Sequence, residues 1–237
     1  MESAPFIRWS PTHLWVLSLV AIIAVTLIIA ARHLSPRNNT RLCRALALIL
    51  GSTFIAEHIW NAFTMPHEEW IQHLPLHFCS AMAPVAFIAL WWQKRWACAM
   101  VYFGVLAASI QALITPTLRV DFPDPRFIIF FWSHSMLALA ALLIPLAMRW
   151  KARLKDVWRT LLYADLYLLC IIPVNLLLGT NYGFTQHSPV KGCLLDYLGA
   201  APWYYLWLQL PALGLFWLMH LPVRPPALDI PGRQTRP

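Results

Sequence analysis

Apolar runs long enough to cross a bilayer recur seven times along this 237-residue chain, at 14–31, 42–63, 76–92, 97–115, 127–148, 161–178 and 203–221. A hydrocarbon core about 30 Å thick takes roughly 20 helical residues. Between the runs there is little room for anything else. Only 12% of the residues are charged, against about 25% in soluble domains, and mean hydropathy is +0.58. That excludes a soluble enzyme, a nucleic-acid binder and a disordered chain. The expected fold is all-α: a single seven-transmembrane helix bundle over 1–237, with 222–237 as a flexible basic tail. Arg8 precedes the first run without a convincing cleavage site, so that run is read as an uncleaved span.

The net charge of +8 reports topology here, because the basic residues sit in short loops. Arg32, Arg37, Arg41 and Arg44 occupy the first loop, Lys94 and Arg95 the third, and Arg149, Lys151, Arg153, Lys155 and Arg159 the fifth. The alternate loops carry only Arg119, Arg126 and Lys191, with Arg8 before the first span. The positive-inside bias therefore places the N-terminus outside and the C-terminus in the cytoplasm.

Polar residues within the spans crowd toward the outer end. Glu57, His58 and Asn61 close the second run, His77, Cys79 and Ser80 open the third, and Ser109 and Gln111 close the fourth. Ser133, His134 and Ser135 lie about two turns into the fifth, and Asn175 near the end of the sixth. Intramembrane polar groups are costly and by default face the bundle interior or a wet cavity. Contributions from five runs at one depth imply a polar pocket in roughly the outer third of the membrane.

Cys79 is the candidate nucleophile, about one turn inside a helix whose N-terminal dipole favours a thiolate. A disulfide to Cys193 is the competing use of its sulfur. His77, two residues away, diverges from it on a helix; His134 and His58 come from other helices at similar depth. His134 is preferred as the base, since Ser133 and Ser135 give it a polar, small-residue setting. Glu57 or Asn61 could orient an imidazole. Gln111, Asn175, Asn181 and Tyr182, with the backbone after Gly179, supply candidate oxyanion or head-group donors. Arg119 and Arg126 stand where a phosphodiester would lie. Neither a cofactor nor a metal is called for; the partners expected are phospholipid and lysolipid, not nucleic acid.

Several strings resemble YwaF-like bacterial integral membrane proteins. They are Leu74-Pro75-Leu76-His77-Phe78-Cys79-Ser80, Gln111-Ala112-Leu113-Ile114-Thr115-Pro116, Phe122-Pro123 with Arg126-Phe127, and Phe130-Phe131 leading to His134. Further on come Leu177-Leu178-Gly179-Thr180-Asn181-Tyr182, Leu195-Asp196-Tyr197-Leu198-Gly199 and Pro202-Trp203-Tyr204. The resemblance runs from Glu57 to Pro222 in motif order. That group is similar in turn to the eukaryotic transmembrane protein 164 family of lipid acyltransferases. The resemblance implies a Cys/His catalytic pair on Cys79 and His134, and a home in the inner (plasma) membrane. Ala200-Ala201 and Ser135 depart from it, where Pro-Trp and glycine are expected.

The leading reading is a thiol-dependent lipid acyltransferase or transacylase with an acyl-thioester intermediate. One alternative is a metal-dependent intramembrane hydrolase using His58, His77 and His134 with Glu57 or Asp196. Another is a non-enzymatic seven-helix transporter or receptor with a polar vestibule.

Overall fold

A computed structural model of the chain describes residues 4–189 and 194–225. Seven apolar helices form the fold, with one short interfacial helix between the second and third. They are α1 (Pro11–His33), α2 (Pro36–Thr64), α3 (His67–Gln72), α4 (Phe78–Trp92), α5 (Arg95–Ile114), α6 (Pro125–Leu146), α7 (Leu154–Leu178) and α8 (Tyr204–His220). Among the described residues there is no strand beyond an isolated bridge between Pro5 and Val120. The chain is an all-α polytopic membrane protein. Lys191, Cys193 and most of the expected basic tail lie outside the described residues.

Three spans begin the same way. Ser10-Pro11, Ser35-Pro36 and Asp124-Pro125 each place an oxygen-bearing cap before a proline. The cap accepts an N–H of the first turn, and proline there forfeits no helical hydrogen bond. At the opposite ends, Gln93 (φ 54°) closes α4 and Gly179 (φ 63°) closes α7 in the left-handed conformation. Helix α7 starts at Leu154 rather than near 161. Asp156 accepts the N–H of Arg153 at 2.7 Å and pairs with the Arg95 guanidinium, so charged residues extend the helix past the apolar run.

Helices α2, α4, α5 and α6 pack together as an inner group, while α1 leans on α6 and α7 and α8 flank α5. Small residues let the inner helices approach closely. Ala47 on α2, Ala83, Ala86 and Ala89 on α4, and Ala140 and Ala141 on α6 are all buried. Gly51 of α2 backs onto the Phe87 ring, which a Cβ would meet at 3.0 Å. Residues Met100–Ser109 of α5 are π-helical, a wide winding seen most often at functional sites.

Six of the helices are long and apolar enough to span a membrane; α4, with 15 residues, is not. At 1.5 Å per residue it covers about 22 Å. Segment 74–77, which leads into it, is non-helical and half-buried. Such backbone is tolerated at membrane depth only where protein or a wet cavity covers it. The cover comes from the turn after α7: Tyr182 Oη donates to the Ile71 carbonyl.

Candidate functional site

Cys79 is the second residue of α4 and carries a free thiol. No side chain caps this helix: His77 holds the N-cap position without a hydrogen bond from its ring to the first turn. The start of α4 is fixed from outside instead. Tyr167 of α7 donates from Oη to the Leu76 carbonyl at 2.7 Å, and its ring meets Phe78 edge-on at 5.5 Å. Gly183 makes room for that phenol, since a Cβ there would sit 3.0 Å from the Tyr167 hydroxyl. The half-buried Cys79 packs against the main apolar core, and its thiol interacts electrostatically with the Ser109 hydroxyl and the Tyr167 phenol.

His134 lies on the stripe of α6 formed by Phe127, Phe131, Ala138 and Ala141, all buried. Its Nδ1 is 2.8 Å from the Phe130 carbonyl, and its ring rests 4.3 Å from the Phe130 ring. A carbonyl only accepts, so Nδ1 bears the proton and Nε2 presents a lone pair. His58 on α2 repeats this geometry, with Nδ1 2.7 Å from the Phe54 carbonyl and rings 4.3 Å apart. Counted from the end bearing the basic loops, Cys79 stands about 20 Å along α4 and His134 about 18 Å along α6. The two helices pack together, and helical rise gives the two residues similar distances from the basic ends of their helices.

Serine hydroxyls accompany these two residues. Ser133 Oγ is spent on the carbonyls of Ile129 and Phe130. Ser109 Oγ and Ser135 Oγ are buried with no oxygen or nitrogen partner among the described residues. An unsatisfied buried hydroxyl costs about 1–3 kcal/mol; at the basic end Asn39 Oδ1, Trp150 Nε1 and His220 Nδ1 are likewise buried without a partner among the described residues.

The other expected residues divide by how far their polar atoms are already used. Asn175, fully buried, donates to the Tyr182 carbonyl (2.7 Å) and to Thr185 Oγ1 (2.6 Å), and accepts from Thr180 Oγ1 (2.7 Å) and Tyr182 N–H (2.8 Å). Its amide is saturated; it knots the turn after α7. Asn181 likewise holds its own loop, accepting the Gln186 and His187 N–H groups and donating to the His187 carbonyl. Tyr182 is buried, and that burial pushes its phenol above the ordinary range. His77 packs between Tyr182 (5.2 Å) and Phe184 (5.5 Å), an aromatic plug over the thiol's helix.

Glu57 is half-buried beside His58, and Asn61 is buried one turn further along α2. Gln111 is exposed on α5. Arg126 is held by Asp124, with Nε and Nη2 at 3.0 and 2.9 Å from the two carboxylate oxygens. Its charge is spent locally. Arg119 instead lines an open groove with Arg8, Phe6, Pro116 and Thr117, built where the Phe6 N–H donates to the Arg119 carbonyl at 3.1 Å. Among the described residues no three His, Cys, Asp or Glu side chains come together as a metal set.

Reading the sequence passed over Tyr167 and His13 and gave Ser109 no role. His13 is fully buried. It accepts the Trp9 N–H at Nδ1 (3.1 Å) and donates from Nε2 to the Leu113 carbonyl (2.8 Å), latching the N-terminus to the end of α5. Nothing in the local sequence marks Tyr167, whose importance comes from a contact 91 residues away.

No curated protein and no solved structure matches the chain. A family model does match residues 8–220, from Arg8 in the basic groove to the last residue of α8 and including Cys79 and His134, and the chain accordingly belongs to the TMEM164 family.

Proposed function

We propose that this protein is a thiol-dependent lipid acyltransferase or transacylase working through Cys79 and His134. One observation carries the reading. A free thiol in the first turn of a short helix lies on a helix packed against the one that carries an imidazole whose Nδ1–H is engaged by the Phe130 carbonyl. Nε2 takes the thiol proton, and the thiolate attacks an ester carbonyl of a membrane lipid. The tetrahedral centre collapses to a thioester, and the departing lysolipid alkoxide recovers the proton from His134. A second lipid hydroxyl then reverses the sequence: His134 accepts its proton, the new ester forms and the Cys79 thiolate leaves. If water takes the acceptor's place, the same steps amount to hydrolysis.

The basic loops at the opposite end support an outer-leaflet site, with the N-terminus outside and the C-terminus in the cytoplasm. The resemblance to YwaF-like bacterial proteins supports a place in a bacterial inner (plasma) membrane. Arg119 and Arg8 in their groove suit the head-group phosphate, both substrates arriving laterally through the bilayer. The test is lipidomics on cells expressing wild type, Cys79→Ala or no protein. A shift in phospholipid acyl composition confined to wild type supports the reading; identical profiles for wild type and Cys79→Ala oppose it.

A further inference from the structure

We infer that the Ser109 hydroxyl is the oxyanion donor of the acyl-transfer step, a role that rests on the thiol reading above. Four observations converge on it. Ser109 is fully buried and its Oγ has no oxygen or nitrogen partner among the described residues. Its helix packs against α4, where Gly104 of α5 meets Phe78, the residue before Cys79, and its hydroxyl is the side-chain group that can hydrogen-bond the Cys79 thiol. Its neighbour Ile110 packs against the cluster containing Phe131 and Ala138, the two residues that bracket His134 on α6. It is also the last residue of the π-helical stretch, whose closing bond runs from the Ile110 N–H to the Val105 carbonyl.

The π winding explains how the hydroxyl reaches this place. Bonds of the i→i+5 type widen the turn beyond the 3.6 residues of an α-helix, so Ser109 comes to roughly the same side of α5 as Gly104. Gly104 faces α4: a Cβ there would lie 3.0 Å from the Phe78 ring and 4.0 Å from Met82 Sδ. Ser109 therefore falls on roughly the side of α5 that faces α4. The donors first expected for this task are otherwise placed. Gln111 is exposed, and Asn175 and Asn181 already hold the loop after α7.

In the step itself the thiolate forms a bond to the carbonyl carbon, and the π pair moves onto the carbonyl oxygen. The Ser109 O–H donates a hydrogen bond to that oxygen and keeps its proton. When the pair returns, the ester C–O bond breaks and the alkoxide takes the proton carried by His134. The hydroxyl, beside the thiol in the empty site, thus turns to an oxygen partner as charge develops.

The experiment compares wild type, Ser109→Ala and Cys79→Ala as full-length protein in phospholipid nanodiscs, with two reactions on the same sulfur. Alkylation by iodoacetamide displaces iodide at a saturated carbon and develops no oxyanion. Acyl transfer from diacyl phosphatidylethanolamine develops one. Loss of an oxyanion donor costs about 10²–10³ in rate, so Ser109→Ala should lose that much transfer while alkylating Cys79 at the wild-type rate. Transfer by Ser109→Ala near the wild-type rate, with Cys79→Ala inactive, overturns the role of Ser109 alone. A parallel fall in alkylation and transfer also overturns it, because the serine would then be acting on the thiol. Transfer that survives in Cys79→Ala overturns the thiol reading and this inference together.

Discussion

The Asp156 cluster and the surroundings of Cys79 bury polar groups in opposite ways. At the basic end, Asp156 is 2% exposed, and its carboxylate takes the Arg95 guanidinium and the Arg153 N–H. Arg95 also donates to the Lys151 carbonyl at 2.9 Å and lies over the Trp150 ring at 5.5 Å. At the thiol end, Ser109 Oγ and Ser135 Oγ have no oxygen or nitrogen partner among the described residues, and the Phe130 carbonyl engages Nδ1 of His134 and leaves Nε2 free of it. A closed cluster ties α5 to α7 and does nothing more. An open one has valence left for a guest. Substitutions at the first should therefore cost stability, and at the second rate.

The largest effect expected is on rate. His134→Ala should lower acyl transfer about 10²–10⁴-fold, the usual worth of a general base, with the thermal midpoint little changed. His58→Ala should stay close to wild type although its imidazole has the same local geometry. Equal losses at both, in one nanodisc transfer assay, would erase the distinction drawn between α2 and α6. Next comes Asp156→Ala. Removing one partner of a buried pair costs about 3–5 kcal/mol; with Arg95 one-third exposed, about 3 kcal/mol is expected. Thermal unfolding in detergent should register it as a lower midpoint, with the folded fraction still active. Asn175→Ala deletes four hydrogen bonds and should cost about 2–3 kcal/mol. Faster hydrogen exchange over 180–185 would localise the loss. The smallest effects concern the arginines. Arg8→Ala with Arg119→Ala should raise KM about fivefold, the equivalent of about 1 kcal/mol. Arg126→Ala, already spent on Asp124, should leave KM unchanged.

Much of the bundle could be read from the sequence because apolar length and Ser-Pro or Asp-Pro starts act locally. The start of α7 could not: Lys155, Asp156 and Arg159 interrupt its hydropathy, and only the distant Arg95 shows why they are tolerated. The π winding of Met100–Ser109 left no trace either, since a segment apolar on every side carries no period to distinguish i+4 from i+5 bonding. For the site, the thiol and the histidines stood out as costly residues in spans. Their surroundings were less visible. Asn175 reads as a free donor until the loop after α7 folds back on it, and Ser109 reads as filler until Gly104 fixes its face. Arg126 reads from the sequence as a head-group contact, and its pairing with Asp124, two residues earlier at the N-cap, shows only in the structure.

The central claim is that Cys79 carries the acyl chain, and trapping that species tests it most directly. Protein in nanodiscs of a single defined diacyl phospholipid is quenched in acid without an acceptor, digested and analysed by mass spectrometry. The account predicts one acyl chain on the Cys79 peptide, released by neutral hydroxylamine and missing in His134→Ala. Steady acyl transfer with Cys79 unmodified throughout, or undiminished in Cys79→Ala, would contradict it.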